Sequence, residues 1–370
     1  MIGVYHHFDL GRRINEFEIV SGSESRSIND AYTLQATVLP RTLKQKGIVI
    51  TPFTVFRVNG IFYRQKLFSA SDNEIGLIKI DAVDLLFADL IEGDLAVFEH
   101  TATAQAMLTA LLAGTRFTVG ACDNLGVKTV ELKNTNRLAA LNKILEQFDG
   151  EVYREGRTVS IKNKLDYMPG GQPFPLVKGK NIVTLEESID TSAVITRLRY
   201  IDSTEEEPLT KVIHSQFINN YPVKEGYKEF RGNADEQARR FLEANELPHA
   251  TYKVSVLPSF KGRFELGAMA SILCEQININ LTLRVVELSR DLTGRSGDRY
   301  TLGQKPKSFT ELTADMFVRE ERLSEIINNP DAFLDAFEIE DMFTRMFDDK
   351  MADFGGTPGT GSGVIIRRLT

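Results

Sequence analysis

A hairpin signal at Asn59-Gly60 is the feature that most constrains how this 370-residue chain can fold. Both turn residues tolerate positive φ angles, and strand-forming residues flank them over 53–58 and 61–67. A third strand is predicted over 76–83, after a polar loop. The first hundred residues are therefore expected to form a small β domain.

The pattern becomes helical in the next part of the chain. Apolar residues recur at helical spacing over 104–112 and again over 138–148, and a glycine follows each stretch. A pair of short strands is predicted over 151–162. Residues 101–180 are therefore expected to form an α/β insert.

Strand patterns return after this insert. The strands are predicted at 194–201, 251–256, 270–274 and 281–291, where β-branched residues alternate with polar ones. Asn233 and Glu236, at capping-box spacing, predict a single helix over 235–245. Residues 181–308 are thus expected to form a second β domain with a helical insert near 233–247.

The two β regions also show a weak internal likeness. The hairpin over 53–67 and the strands over 270–291 are candidate copies of one β domain. No tandem repeat of fixed period accompanies them. Together these patterns predict a β-rich α+β fold, in which two β domains carry α/β inserts and a helical segment follows them.

The C-terminal residues differ from everything before them. Residues 309–354 predict two amphipathic helices and hold thirteen acidic and four basic residues, a net charge of −9. Residues 355–370 comprise a glycine-rich linker and a strand-like tip. An exposed apolar face would be unfavourable in water, so burial against other copies or another protein is one interpretation. Packing on the chain's own domain is the other. The candidate interaction residues are Phe333, Phe337, Met342, Phe343, Met346, Phe347, Ile365 and Ile366.

Charge and hydropathy argue against two classes of partner. The whole chain carries −7, so the part outside 309–354 is near +2 and has no concentrated basic stripe. Nucleic-acid binding, which needs phosphate neutralisation, is therefore not expected. No run of about 18 apolar residues is present, so no membrane span is expected.

Few residues occur in patterns that are typical of catalytic or metal-binding sites. The two cysteines, Cys122 and Cys274, form neither a disulfide framework nor a metal pair, and Cys122 is the candidate nucleophile of the two. His6 and His7 would point to opposite faces of a strand, which disfavours joint metal binding. No hydrolase, zinc-protease or phosphate-loop motif is present. The sequence predicts no catalytic site, no metal site and no cofactor.

Segments along most of the chain resemble the hub family of phage tails. This family includes the central hub of contractile baseplates and the amino-terminal part of tail-associated lysins, described as prophage endopeptidase tail proteins. The similarity depends on the collinear order of the segments and spans about residues 1–306. The matching segments are 29–34, 53–67, 111–117, 138–152, 179–182, 194–198, 283–288 and 299–303.

The resemblance implies that both β domains, 1–100 and 181–308, are barrel-like. It also implies a structural hub in which a homotrimeric ring presents six similar barrels to a hexameric tail. The expected partners are a distal tail protein ring, the tape-measure protein and a receptor-binding or fibre protein. The expected location is the tail tip of the virion, where host cell attachment occurs, after synthesis in the host bacterial cytoplasm.

Two other functions stay open at this stage. The family's peptidase activity generally belongs to a downstream domain, yet a peptidoglycan-degrading endopeptidase that uses Cys122 or His7 is one alternative. A module that binds host glycans is the other. The absence of tryptophan weakens the glycan hypothesis, because sugars usually stack on aromatic platforms.

Overall fold

The structure is a computed structural model that describes most of residues 2–303. The gaps are at 7–8, 52, 71–76, 166–171, 192–193, 205–208, 220–221, 231–232, 261–263 and 278. All described residues belong to one compact unit, which spans residues 1–306. The segments predicted at 309–354 and 355–370 lie outside the described residues.

The first part of the chain is mostly strand. Its elements are β1 (Ile2–His6), β2 (Asp9–Phe17), β3 (Ser21–Ser27), β4 (Thr33–Val38), α1 (Pro40–Gln45), β5 (Val55–Val58), β6 (Ile61–Ala70), β7 (Ile78–Asp84) and α2 (Leu85–Ile91). Asn59 and Gly60 have φ angles of 45° and 84°, as a tight hairpin turn requires, so the predicted hairpin is confirmed. Helix α2 is an addition to the prediction, and Asp84 caps it by accepting a hydrogen bond from the Leu86 amide at 2.8 Å.

The middle part contains the predicted helices. Its elements are β8 (Asp94–Thr103), α3 (Ala104–Leu112), β9 (Thr118–Val119), β10 (Val127–Asn136), α4 (Arg137–Phe148), β11 (Glu151–Glu155) and β12 (Thr158–Lys162). Side chains of Thr103 and Asn136 cap α3 and α4. Both helices bury an apolar face, which confirms the periodicity that predicted them.

The last described part returns to strand. Its elements are β13 (Phe174–Val177), β14 (Ile182–Asp190), β15 (Arg197–Asp202), β16 (Lys211–His214), β17 (Glu225–Phe230), α5 (Ala234–Asn245), β18 (His249–Val256), β19 (Met269–Cys274), a 3-10 turn (Glu275–Ile277), β20 (Ile279–Asp291) and β21 (Arg299–Gly303). The helix predicted near Asn233 is confirmed as α5. Asn233 itself adopts a left-handed conformation, and its amide donates to the Glu236 carboxylate at 2.6 Å instead of capping the backbone.

Thirteen strands form one large sheet. Their order is β14-β18-β21-β20-β3-β4-β7-β6-β5-β1-β2, and β13 and β19 pair beside the first half of β20. A β-rich fold with large antiparallel sheets is therefore confirmed. The two predicted barrel-like domains are not confirmed, because the described strands form no closed barrel. The reason is β20, whose 13 residues pair with β19 over the first half and with β3 over the second.

The large sheet contains the same strand order twice. The strands β3-β4-β7-β6-β5-β1 form what we name the first repeat, and β14-β18-β21-β20-β19-β13 form the second repeat. The strands also occur in the same order along the chain. Each repeat has a β-bulge at the same place, between Gln65 and Leu67 on β6 and between Val285 and Glu287 on β20. One difference is that β1 runs antiparallel to β5, whereas β13 runs parallel to β19.

Three apolar cores hold the described elements together. The large sheet surrounds the first core, where Phe264 and Tyr300 pack edge to face at 4.6 Å between ring centroids. Helices α3 and α4 cover the β8–β10 ribbon in the second core, where α2 packs against α4, β6 and β7. Helix α5 covers β15 and β17 in the third core. Full burial of each large apolar side chain contributes about 1.5–3 kcal/mol, so these cores position the strand edges firmly.

Candidate interaction surface

The residues predicted to make protein contacts cannot be placed. Phe333, Phe337, Met342, Phe343, Met346, Phe347, Ile365 and Ile366 all lie outside the described residues. The same is true of His7 and of the side chain of His6. In the described part, the candidate interaction surfaces are the edges of the sheets.

Cys122, the candidate nucleophile, lies in the loop between β9 and β10. Its sulfur accepts a hydrogen bond from the Ile161 amide at 3.3 Å, and its side chain is half-buried. Burial raises the pKa of this thiol, although the Ile161 hydrogen bond and Lys162 act in the opposite direction. A nucleophilic cysteine needs a lowered pKa, because the thiolate is the reactive form. Cys274 is buried in β19.

Alkylation should report this raised pKa directly. We expect Cys122 to react with iodoacetamide more slowly at neutral pH than a free thiol does, since a raised pKa reduces the thiolate fraction. The rate should continue to rise above the pH at which glutathione levels off. Mass spectrometry of the intact chain measures it, with Cys122→Ser as the control. The expectation would be contradicted if the alkylation rate of Cys122 reached its plateau at a lower pH than the alkylation rate of glutathione does.

The described part offers little for cofactor or metal binding. Within it, no group of three or more His, Cys, Asp and Glu side chains is placed to hold a metal ion. A shallow cleft of about 490 Å³ carries Arg116, Arg137 and Arg157. Arg116 is paired with Asp89 at 2.7 Å, and Arg137 donates to carbonyls that end α3. None of the described helices is both long and apolar enough to cross a membrane.

The pairing of β3 with β20 joins the two repeats. Ser27 lies opposite Glu287, and Ser23 lies opposite Asp291, with the strands antiparallel. At the centre of the junction the hydroxyls of Ser25 and Ser289 are 3.2 Å apart. The first and second repeats are therefore joined through a continuous ladder, and we name this contact the internal junction.

A buried charge network crosses the internal junction. The carboxylate of Glu24, which is fully buried, accepts hydrogen bonds from Arg26 at 2.7 Å, Asn59 at 2.7 Å and Tyr63 at 2.5 Å. Arg26 and Arg290 both pair with Glu265, at 3.5 and 2.7 Å. Burial and the Glu24 charge raise the pKa of Tyr63 well above its usual value. Each buried charge therefore depends on a partner across the network.

Several strand edges in the described part have no strand partner, among them one edge of β14 and part of one edge of β6. Strand β14, at one end of the large sheet, pairs only with β18. Strand β6 is paired on both sides up to Arg64, and the Gln65 amide donates to the Thr54 carbonyl on the same side as β5. Residues 67–70 have β7 on one side and no described strand on the other. Exposed apolar side chains lie on β14, where Val183 is 46% and Ile189 58% exposed. Unpaired edges of this kind are templates for pairing with another chain.

One family model matches the middle of the chain. Residues 96–161, from β8 to β12, match the model described as prophage endopeptidase tail domain. A comparison with curated proteins found no match. The matched range covers α3, α4 and the strands around them, and it includes Cys122.

Solved structures share the fold over most of the chain. A prophage tail protein, gp18, from Listeria monocytogenes has a TM-score of 0.61 at 16% identity, covering 85% of this chain and 98% of that one. The tail protein from Neisseria meningitidis has 0.64 at 12%, covering 82% and 96%. The prophage MuSo2 43 kDa tail protein from Shewanella oneidensis has 0.59 at 11%, covering 82% and 97%. The resemblance to prophage tail proteins that the sequence indicates is thereby confirmed, and at these identities the structural likeness is one of fold.

Proposed function

We propose that this chain is a structural hub at the tail tip, or baseplate, of a long-tailed phage or prophage. In this role three copies form a ring that adapts the hexameric tail to the tip. The fold likeness supports the proposal, because it extends over more than four-fifths of the chain to three proteins whose names describe tail proteins. The match of residues 96–161 to a prophage tail domain supports it independently.

The duplicated strand order is the observation that carries the proposal. Each chain contains two repeats with the same strand order and the same bulge, joined side by side in one sheet. Three chains would therefore supply six similar modules, which matches the symmetry of a hexameric tail ring. A closed ring also removes free strand edges, which are otherwise prone to aggregation.

The proposed partners follow from this place in the particle. They are a distal tail protein ring on one side, the end of the tape-measure protein within the ring, and a receptor-binding or fibre protein at the tip. The apolar face predicted over 333–347 would be buried against another copy or one of these partners. The hub itself would be synthesised in the bacterial cytoplasm and would catalyse no reaction.

The mass of the assembled chain tests the hub proposal. We expect light scattering coupled to gel filtration to give three times the 41.5 kDa of the single chain, alone or after addition of the distal tail ring protein. The physical reason is that the free edges of β14 and β6 gain backbone hydrogen bonds on assembly. A mass of one chain at every concentration, with and without the ring protein, would contradict the proposal.

An endopeptidase is the second candidate function. The description of the matched domain favours it, and Cys122 lies inside the matched residues. A mechanism that uses Cys122 as nucleophile would require a reactive thiolate, whereas burial raises the pKa of that thiol. A mechanism that uses His7 would involve a residue outside the described part. Alkylation of Cys122 therefore tests the cysteine mechanism, and a zymogram against peptidoglycan tests the endopeptidase as a whole.

A further inference from the structure

We propose that β14 of one copy pairs with residues 67–70 of β6 in a neighbouring copy, in the antiparallel register of the internal junction. The proposal rests on the hub function, because it names the strands through which copies of the chain would join. The contact between two chains would then have the same strand pairing as the internal junction, which joins the two repeats within one chain.

The β-bulges establish which residues of β6 and β20 are equivalent. The bulge follows Gln65 on β6 and Val285 on β20. The amide of Gln65 donates to the Thr54 carbonyl at 3.1 Å, and the amide of Val285 donates in the same way to the Ala268 carbonyl at 2.8 Å. Residues 67–70 of β6 therefore correspond to 287–290 of β20, the part that pairs with β3.

The same register makes β14 equivalent to β3. Residues that lie opposite one another on successive strands form a row across the sheet. In the first repeat, the row that contains Gln65 ends on β3 at Glu24. In the second repeat, the row through Val285 ends on β14 at Glu187. Both positions hold glutamate. The outer edge of β3 pairs with β20, whereas no described strand pairs with the outer edge of β14.

The equivalence predicts the residues that face each other between copies. Ser188 on β14 corresponds to Ser25, and Ser69 on β6 corresponds to Ser289. The internal junction thus pairs serine with serine, and the proposed contact does the same. Ile189, the most exposed apolar residue of β14, would lie opposite Phe68.

A contact of this kind extends the assembly in one direction. Strand β14 of each copy meets β6 of the next, so the two surfaces in contact differ from each other. Such a head-to-tail contact closes into a ring when the rotation between copies closes, as the proposed trimer requires. Antiparallel pairing would also satisfy the unpaired amides and carbonyls at both edges.

Engineered disulfides test the register. The chain carries Ser69→Cys and Ser188→Cys together, with Cys122→Ser to remove the half-buried thiol. We expect oxidation to give covalent dimers and trimers on a non-reducing gel, because facing residues in adjacent strands have Cβ atoms close enough for a disulfide. The pair Ser25→Cys and Ser289→Cys is the internal reference, which should oxidise within one chain and leave its mass unchanged.

A matched variant checks that the crosslink is specific. Thr184 is exposed on the same strand as Ser188 but lies about 13 Å further along it, so Ser69→Cys with Thr184→Cys should give only single chains. Ile189→Lys, at a position exposed in the single chain, should prevent assembly while the circular dichroism spectrum stays unchanged.

The outcomes separate this inference from the hub function. A trimeric mass without the Ser69–Ser188 crosslink, while the internal reference oxidises, would overturn the strand pairing and leave the hub standing. A crosslink from position 188 to Arg13→Cys on β2, the other terminal strand of the sheet, would also overturn it. A single-chain mass under all conditions would overturn both.

Discussion

Replacing Arg154 by alanine is expected to destabilise the chain by about 3–5 kcal/mol, because Asp84 would then be a buried charge without its partner. Both side chains are only 3% exposed. Arg154 also donates to the Asp30 carbonyl at 2.6 Å, and its guanidinium lies 3.8 Å from the ring centre of Tyr32. The pair joins β7 to β11, so its loss should loosen the contact between the large sheet and the α/β insert.

Urea unfolding of matched variants would isolate the cause of this loss. Arg154→Met combined with Asp84→Asn removes both charges and keeps a side chain that can cap α2, so it should recover most of the stability. Arg240→Ala removes the exposed pair with Glu236 and should change the free energy of unfolding by at most about 0.5 kcal/mol. If the urea midpoints of the Arg154→Ala and Arg240→Ala variants shifted equally, burial of the ion pair would not be the cause of the lost stability.

Replacing Glu24 by glutamine is expected to destabilise the chain by about 3 kcal/mol, because the internal junction would then contain Arg26 without its closest carboxylate. The side chain of Arg26 is 9% exposed and that of Glu24 is fully buried, so solvent cannot replace the lost charge. Thermal unfolding followed by circular dichroism measures the effect, and the lost stability should not be restored by raising the pH.

Glu187 provides the control for this prediction. It occupies the position on β14 equivalent to Glu24, but it is exposed, and its carboxylate accepts a 2.7 Å hydrogen bond from the Tyr252 hydroxyl. Glu187→Gln in the unassembled chain should therefore change stability by at most about 0.5 kcal/mol. A loss as large as that of Glu24→Gln would mean that the internal junction is not responsible for the difference.

Much of the local structure could be predicted from patterns in the sequence. The hairpin at Asn59-Gly60 and the helices α3 and α4 have signals that lie within a few neighbouring residues. Helix α2 was missed because its seven residues are almost all apolar and buried, and a short buried helix has the same composition as a buried strand. The β8–β10 ribbon was missed because almost all of its residues are exposed or half-buried on both faces, so that no clear apolar–polar alternation marks it.

The candidate interaction surface could not be predicted in the same way. The sequence predicts that the apolar face over 333–347 makes protein contacts, and this role stays a prediction. The edges of β14 and β6 have no distinctive composition. What distinguishes them is that β14 lies at one end of the large sheet and that the pairing of β5 with β6 ends at Arg64, and both features depend on residues far away in the chain.

The sequence by itself determined the strand-rich composition, the helical insert and the likeness to prophage tail proteins, because each depends on local propensity or on the order of short segments. Only the tertiary structure decided that the two β regions join in one open sheet and that one edge of β14 and part of one edge of β6 have no partner among the described strands. The physical reason is register. Glu24 and Glu187 occupy equivalent positions on β3 and β14, and the pairing of β3 with β20 covers only the first of them.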